Sequence, residues 1–101
     1  MPGKKLYEDD DLLAFHDISP QAPVHFLVIP KKHIINVMEL KPEDTELMGK
    51  LLFKAQKLLA EQGCSENGGR FVFNCKSHGL QTVDHVHLHV LGGRKLRWPP
   101  G

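Results

Sequence analysis

Three histidines alternate with aliphatic residues near the C-terminus, in the stretch His85-Val86-His87-Leu88-His89-Val90-Leu91. A period of two is the pattern of a β-strand, whose successive side chains point to opposite faces of a sheet. We therefore expect a strand over 82–91, with the three imidazoles on one face and the aliphatic side chains in a core. Three histidines in register beside a core point to chemistry, because unpaired polar groups are costly there.

The remaining patterns predict a single α+β domain over 1–101. The chain has 101 residues, of which 41% are hydrophobic and 25% charged, as in an ordinary globular domain. A hairpin is predicted from 6–7 and 12–15, and further strands from 24–29 and 70–74. A long amphipathic helix is predicted over 42–62, ending at Gly63, and a short helical turn within 33–39. The sum is an antiparallel sheet of about five strands with one long and one short helix.

Charge and cysteine content exclude several classes of protein. Thirteen basic and twelve acidic residues give a net charge of +1, so no nucleic-acid partner is expected. No apolar run approaches the roughly 18 residues of a membrane span, and no signal-peptide pattern follows Met1. Two cysteines, Cys64 and Cys75, are too few for a disulfide framework and are expected as buried apolar residues. A cytoplasmic protein without a membrane partner is the expectation.

Two kinds of chemistry fit the three histidines. In the first, histidines at i and i+2 ligate zinc, with a third ligand from His25, His33 or His89. In the second, a neutral imidazole attacks phosphorus to form a covalent intermediate, while neighbouring imidazoles stabilise charge and protonate the leaving group. The polar, glycine-containing loop 74–82 favours the second, because its side chains suit phosphate oxygens.

The histidine stretch resembles the motif of the histidine-triad (HIT) superfamily, in which three histidines alternate with apolar residues. Residues 15–23, 24–33, 91–94 and 98–101 resemble its Hint branch, the histidine triad nucleotide-binding proteins, and the resemblance spans about residues 6–101. It implies a HIT-like fold that pairs as a homodimer. It also implies a purine nucleoside phosphoramidase, which cleaves the P–N bond of AMP–amine or GMP–amine conjugates through a nucleotidyl-histidine.

The resemblance assigns roles to individual residues. His87 matches the nucleophile, His89 and His25 match histidines that surround the phosphate, and His85 matches one that orients the others. Asp17 matches the carboxylate that accepts hydrogen bonds from the ribose hydroxyl groups. The residues that match nucleotide contacts are Phe15, His16, Asp17, Ile18, Asn74, Gln81, Thr82 and His89. Trp98 matches a tail residue that reaches the partner subunit's active site.

Some positions depart from the family pattern. Leu80 stands where relatives carry Gly or Ala, and Asp84 where they often carry an aromatic residue. Family chains also extend further at the N-terminus, and some carry there a Cys-x-x-Cys that binds structural zinc with the equivalents of His33 and His85. This sequence begins later. We therefore expect no required cofactor, and a zinc ion at His33 and His85 only in a longer form.

Two other functions stay open. A dinucleoside polyphosphate hydrolase of the same superfamily would use the same three histidines, although the ending at 98–101 favours the phosphoramidase. A purine-nucleotide-binding or protein-interaction module with little turnover is the alternative from a different class.

Overall fold

The computed structural model describes residues 3–100, so Met1, Pro2 and Gly101 of the predicted domain lie outside the described residues. Within that range, five strands form one sheet. They are β1 (Lys5–Glu8), β2 (Leu12–His16), β3 (Val24–Pro30), β4 (Gly69–Phe73) and β5 (Leu88–Gly92). The order in the sheet is β1-β2-β3-β5-β4, and every neighbouring pair is antiparallel. The predicted α+β class and antiparallel sheet are confirmed.

The long helix, α1, runs over Thr45–Leu59 and continues as a wider turn over Ala60–Cys64. Gly63 has a φ of 86°, a left-handed conformation that favours glycine, and ends the helix as predicted. The α-helix starts three residues later than predicted, because Pro42–Asp44 form a 3₁₀ turn. The Asp44 carboxylate tightens that turn by accepting the Lys41 backbone N–H at 2.9 Å. The short predicted helical turn is also present, as a 3₁₀ turn over Val37–Glu39.

The core lies between α1 and one face of the sheet. Alternate residues of β2, β3 and β5 meet one side of the helix, and each is at most 4% exposed. These residues are Leu12, Ala14, Phe26, Val28, Leu88, Val90, Leu51, Ala55, Leu58 and Leu59. Burial of each leucine, valine or phenylalanine side chain in this set stabilises the fold by roughly 1.5–3 kcal/mol. Because α1 covers this face, the opposite face of the sheet stays open.

The predicted strand over 82–91 is wrong in its first half, since β5 begins only at Leu88. The β3–β5 register places Val28 opposite Leu88, which would put Val86 opposite Pro30, a residue without an N–H. Val86 instead donates its N–H to the Ile34 carbonyl at 2.6 Å. The alternation of faces nevertheless persists, because Val86 and Leu88 are each 1% exposed while the histidines between and around them are partly open.

Two further expectations are only half met. Cys64 is buried as predicted, but Cys75 is only partly buried because it lies in the loop after β4, and both are free thiols. Leu52 belongs to the predicted apolar stripe of α1 but is 53% exposed.

No helix among residues 3–100 is both long and apolar enough to cross a membrane.

Candidate active site

A cleft of about 370 Å³ opens on the face of the sheet away from α1. Cross-strand pairs form its floor: Phe15 of β2 lies opposite Leu27 of β3, and Leu27 lies opposite His89 of β5. The residues that line the cleft are Leu13, Phe15, Asp17, Ile18, Leu27, Ile29, Thr82, Val83, His85, His87 and His89. One side of the cleft is therefore apolar, and the other side carries the three histidines.

The hydrogen bonds of His87 assign its tautomer. Its Nδ1 lies 2.7 Å from the backbone oxygen of His85. A carbonyl oxygen only accepts hydrogen bonds, so Nδ1 carries a proton, and in the neutral imidazole Nε2 therefore keeps its lone pair. His85 is held in turn, since its Nε2 donates to the Pro30 oxygen at 2.7 Å. The backbone thus presents His87 with an unprotonated Nε2, which is the form of imidazole that attacks an electrophile.

A second chain of hydrogen bonds orients His25 and His89. The Gln21 backbone N–H donates to His25 Nδ1 at 3.0 Å, so the proton of a neutral His25 sits on Nε2. That Nε2–H donates to His89 Nδ1 at 3.0 Å, which leaves the proton of His89 on its own Nε2. Asp17 Oδ2 lies 3.4 Å from His25 Nε2 and 4.0 Å from His89 Nδ1. His89 therefore offers an N–H donor beside the lone pair of His87.

Burial keeps this histidine pair neutral. Burial lowers the pKa of His89 to about 4, and the neighbouring His87 and His25 add to the effect while Asp17 opposes it. Burial also lowers the pKa of His25, which is 6% exposed, again against the pull of Asp17. Both imidazoles are consequently uncharged at neutral pH, as their hydrogen-bond pattern requires.

The structure offers two places to consider for a metal ion. Asp17, His25 and His89 present ligand atoms within 4.8 Å of one another, although His25 Nε2 would have to lose its proton and its bond to His89. His33 Nδ1 lies 3.2 Å from His85 Nδ1 at the exposed end of the cleft. Among residues 3–100, no third ligand joins that second pair. The donor set therefore fits a zinc ion at His33 and His85 only with ligands from elsewhere.

Seven of the predicted site residues line the cleft: Phe15, Asp17, Ile18, Thr82, His85, His87 and His89. His25 is hydrogen-bonded to His89 without lining the cleft, and Trp98 lies on the tail away from it. Three further residues do not line it either. His16 follows Phe15 on β2 and shares the face of Ala14, which belongs to the core. The Gln81 side chain fastens its own loop, because it accepts from Lys76 N and donates to the oxygens of Ile35 and Val83. Asn74 follows the end of β4 and does not line the cleft.

The sequence analysis missed four lining residues: Leu13, Leu27, Ile29 and Val83. Three of them were within reach of the alternation rule. Leu13 lies two residues before Phe15, and Leu27 and Ile29 lie two and four residues after His25, so strand periodicity places each on the histidine face. Val83 had no such signal, because it lies in the irregular segment before β5.

Comparison with known proteins agrees with this geometry. Residues 1–96 match the HIT domain family. An uncharacterized HIT-like protein of Synechococcus elongatus is 50% identical over 101 residues, which are all of this chain and 88% of that protein. A HIT family hydrolase from Legionella pneumophila Philadelphia 1 matches with a TM-score of 0.97 at 50% identity, covering 100% of this chain and 90% of that chain. A histidine triad protein from Clostridium difficile matches with a TM-score of 0.90 at 39% identity, covering 96% and 84%. The histidine pattern and the sheet of the present chain, together with these similarities, show that it belongs to the HIT domain family.

Proposed function

We propose that this chain is a nucleotide-binding hydrolase that cleaves the P–N bond of purine nucleoside 5′-monophosphates joined to amines. The observation that carries the proposal is the tautomer of His87, whose unprotonated Nε2 opens into the cleft beside the N–H of His89. A nucleophile next to a hydrogen-bond donor is what displacement at phosphorus requires. The Legionella relative is described as a hydrolase, which agrees with this chemistry.

The apolar half of the cleft suits a purine nucleoside. Phe15, Leu27 and Ile29 form a floor on which a base can lie, and Ile18 stands at the rim with 62% of its surface exposed. Asp17 supplies the polar contact: its Oδ1 accepts the Ser19 N–H at 2.7 Å, which holds the carboxylate in place. We propose that this carboxylate accepts hydrogen bonds from the hydroxyl groups of the ribose.

In the first step, His87 Nε2 attacks phosphorus, a P–Nε2 bond forms and the P–N bond to the amine breaks. The departing nitrogen takes a proton from His89. Free His89 is neutral at pH 7, but a bound phosphate is an anion close to it and raises the pKa of His89 towards the protonated form. The products of this step are the free amine and a nucleotidyl group on His87.

In the second step, water attacks the same phosphorus and the P–Nε2 bond breaks. The hydroxyl group stays on phosphorus, giving the nucleoside monophosphate, and the other proton of the water returns to His89. His25 orients His89 in its neutral form, since its Nε2–H donates to His89 Nδ1. When His89 is protonated, Nδ1 also carries a proton, and the Asp17 carboxylate 4.0 Å away faces that charge. Water is the only co-reactant, and all atoms are accounted for.

We propose that no metal ion is required, because imidazole N–H groups can stabilise the phosphoryl oxygens themselves. Incubation with a chelator should leave the hydrolysis rate within about twofold of the untreated protein. Strong inhibition that zinc reverses would favour a metal site at Asp17, His25 and His89 instead.

We propose that the active form is a homodimer in the cytoplasm. Leu52 and Phe53 of α1 are 53% and 64% exposed, and Phe71 and Phe73 lie on the edge strand β4 with 39% and 36% exposed. A second copy would cover these apolar side chains and the open strand edge. Sedimentation at micromolar concentration should report about twice 11.4 kDa, whereas a fully active monomer would contradict the dimer.

The tail that follows β5 carries an exposed tryptophan. Trp98 is 79% exposed, and within the described chain the Arg70 guanidinium lies 5.8 Å from its ring centre. We propose that Trp98 contacts the leaving group in the partner subunit's active site. Trp98→Ala should change the ranking of amines as leaving groups more than it changes nucleotide affinity, and an unchanged ranking would remove this role.

A comparison of substrates tests the proposed function. We expect an AMP–amine conjugate to be hydrolysed with a much higher kcat/KM than diadenosine polyphosphates. The reverse ranking would favour a dinucleoside polyphosphate hydrolase. Tight AMP binding without turnover of either substrate would favour a binding module.

A further inference from the structure

We infer that Arg94 is a positioning residue, which fixes the direction of the hydrogen-bond chain that ends at the Nε2–H of His89. The inference rests on the proposed function, in which His89 protonates the departing amine. It assigns a role to a side chain outside the cleft, and every contact on which it depends lies within one chain.

The Arg94 guanidinium binds the loop between β2 and β3. Its Nη2 donates to the Gln21 oxygen at 2.8 Å, and its Nε donates to the same oxygen at 3.3 Å. Its Nη1 donates to the Lys95 oxygen at 3.2 Å. Because the donors of a guanidinium form a rigid planar fork, these three bonds fix its orientation. Gln21 is thereby held against the segment that follows β5.

The shape of the loop makes this contact from outside important. Pro20 and Pro23 have no N–H, so the loop can form fewer backbone hydrogen bonds of its own. The chain after β5 approaches it closely at Gly93, where a Cβ would lie 2.9 Å from the Cβ of Pro23 and where φ is 88°. Glycine at this position lets the next residue, Arg94, reach Gln21.

The Gln21 N–H sets the direction of the chain. It donates to His25 Nδ1 at 3.0 Å, and a backbone N–H can only donate. A neutral His25 therefore carries its proton on Nε2, which lies 3.0 Å from His89 Nδ1. A neutral His89 in turn carries its proton on Nε2. Each proton thus points away from Gln21 and towards the cleft that His89 lines.

The same two imidazoles could also bond in the reverse direction. With protons on Nδ1 of both rings, His89 would donate to His25 across the same contact. Asp17 does not exclude this form, because its Oδ2 lies 3.4 Å from His25 Nε2 and 4.0 Å from His89 Nδ1 and so faces a proton on either nitrogen. His89 would then present a lone pair to the departing amine. The Gln21 N–H, held by Arg94, opposes the reversal because two N–H groups would meet at His25 Nδ1.

Arg94→Ala removes the contact and leaves the residues that line the cleft unchanged. We expect kcat for an adenosine 5′-phosphoramidate to fall about tenfold and KM to stay within about twofold, because the lost donor serves the reacting group and not nucleotide binding. Arg94→Lys keeps one donor for the Gln21 oxygen and should recover most of the loss. A merely structural role would not give this separation of kcat from KM.

Lys95→Ala is the matched control, because the Lys95 side chain forms no hydrogen bond or salt bridge among residues 3–100. It truncates a neighbouring basic side chain of the same segment. Both kcat and KM should stay within about twofold of the parent. A tenfold loss of kcat in this variant as well would show that the segment, and not the Arg94 guanidinium, is responsible, and would overturn the inference.

A double variant tests whether Arg94 acts through His25. His25→Gln still offers an N–H donor near the former Nε2 position, but no acceptor for the Gln21 N–H near the former Nδ1 position. In this background Arg94→Ala should change kcat by less than about twofold, because both substitutions remove the same interaction. A further tenfold loss in the double variant would show that Arg94 acts by another route and would overturn the inference.

NMR on the free protein keeps this test separate from the test of the proposed function. At pH 7, ¹⁵N spectra distinguish a protonated ring nitrogen from an unprotonated one. The two ring-nitrogen signals of His89 should lie far apart in the parent and in Lys95→Ala, and should move towards each other in Arg94→Ala as the two tautomers exchange. Unchanged signals in Arg94→Ala would overturn the inference even if the parent hydrolyses phosphoramidates. The expected movement in a protein that hydrolyses none would uphold the fixed direction and overturn the proposed function alone.

Discussion

The two halves of the histidine face differ in origin and in chemistry. The nucleoside half is built by β2 and β3 and is apolar, with Phe15 and Leu27 paired across the strands. The arginine half is built by β4 and the tail, which carry Arg70, Arg94 and Arg97. These guanidinium groups have no acidic partner among residues 3–100. His87 and His89 stand between them.

This difference suggests a division of labour. Under the proposed function, contacts in the nucleoside half are shared by every substrate with the same nucleotide, so they set affinity without choosing among leaving groups. Only contacts with the departing group set that choice. Substitutions in the nucleoside half should therefore change affinity alike for every conjugate, and changes at the histidines should lower the hydrolysis of every substrate.

The largest effect is expected for His87→Asn, which removes the nucleophile on which both halves depend. Hydrolysis of every conjugate should fall by about a thousandfold or more, because the two-step covalent route is lost. AMP affinity should stay within a few fold, since Asp17 and the apolar floor remain. Steady-state rates and calorimetry measure the two quantities.

His78→Asn provides the control for that experiment, because His78 is an exposed histidine in the loop after β4. Its rates should stay within twofold of the parent. If His87→Asn retained more than a tenth of the parent activity, His87 would not be the nucleophile.

The next effect concerns the stability of the histidine pair in acid. Burial lowers the pKa of His89 from 6.5 to about 4, so the unfolded chain binds a proton at higher pH than the folded chain. The free energy of unfolding is therefore complete above pH 6.5 and falls as the pH is lowered towards 4, by about 2 kcal/mol at pH 4.5. His25 adds a loss in the same direction.

Urea unfolding of the parent and of His89→Gln at pH 7 and pH 4.5 measures this linkage. The variant should lose less stability on acidification than the parent, because glutamine does not titrate. Equal losses in the two proteins would show that His89 is not held neutral by burial.

A smaller effect is expected from Ile18→Ser in the nucleoside half. Ile18 lines the cleft but is 62% exposed, so its replacement should weaken substrate contact without unfolding the protein. KM should rise by about three- to tenfold, and by the same factor for anionic, neutral and cationic leaving groups. Ile35→Ser, at a half-exposed residue outside the cleft, is the matched control. Unequal factors among the three substrates would break the proposed division of labour.

The smallest effect is expected from His33→Asn. His33 contacts His85 through Nδ1, but His85 stays bound to the Pro30 oxygen without it. The orientation of His87 should survive, and kcat/KM should change by less than about threefold. A loss of a hundredfold would show that the exposed histidine pair takes part in the reaction, whether by proton transfer or by holding a metal ion.

Much of the fold could be predicted from periodicity. The amphipathic repeat in α1 and the nearly continuous apolar run over 24–29 report directly on burial, so the helix and the central strand were identified. The start of β5 could not be, because it depends on Pro30 lying opposite Val86, which is a property of the register and not of the local sequence. Local alternation at 85–87 reflects burial on one side even where strand hydrogen bonds are absent.

The site was predictable to a similar extent. The resemblance grouped Phe15, Asp17 and the three histidines, and their side chains line one cleft. The resemblance also matches Gln81 to a nucleotide contact. In the structure, the Gln81 side-chain amide makes its hydrogen bonds with backbone groups of its own loop and of Ile35. The contact of Arg70 with the tail was not predicted from the sequence, because the two segments lie together only through the pairing of β4 with β5.

The most direct test of the account is to trap the covalent intermediate. A slowly hydrolysed adenosine phosphoramidate or phosphorothioate should leave an AMP group on the protein, and fragmentation of the peptide that contains residues 85–89 should locate it. We predict an acid-labile AMP adduct on His87 and none in His87→Asn. An adduct on His85 or His89, or rapid turnover with no adduct under any quench, would contradict the assignment of His87 Nε2 as the nucleophile.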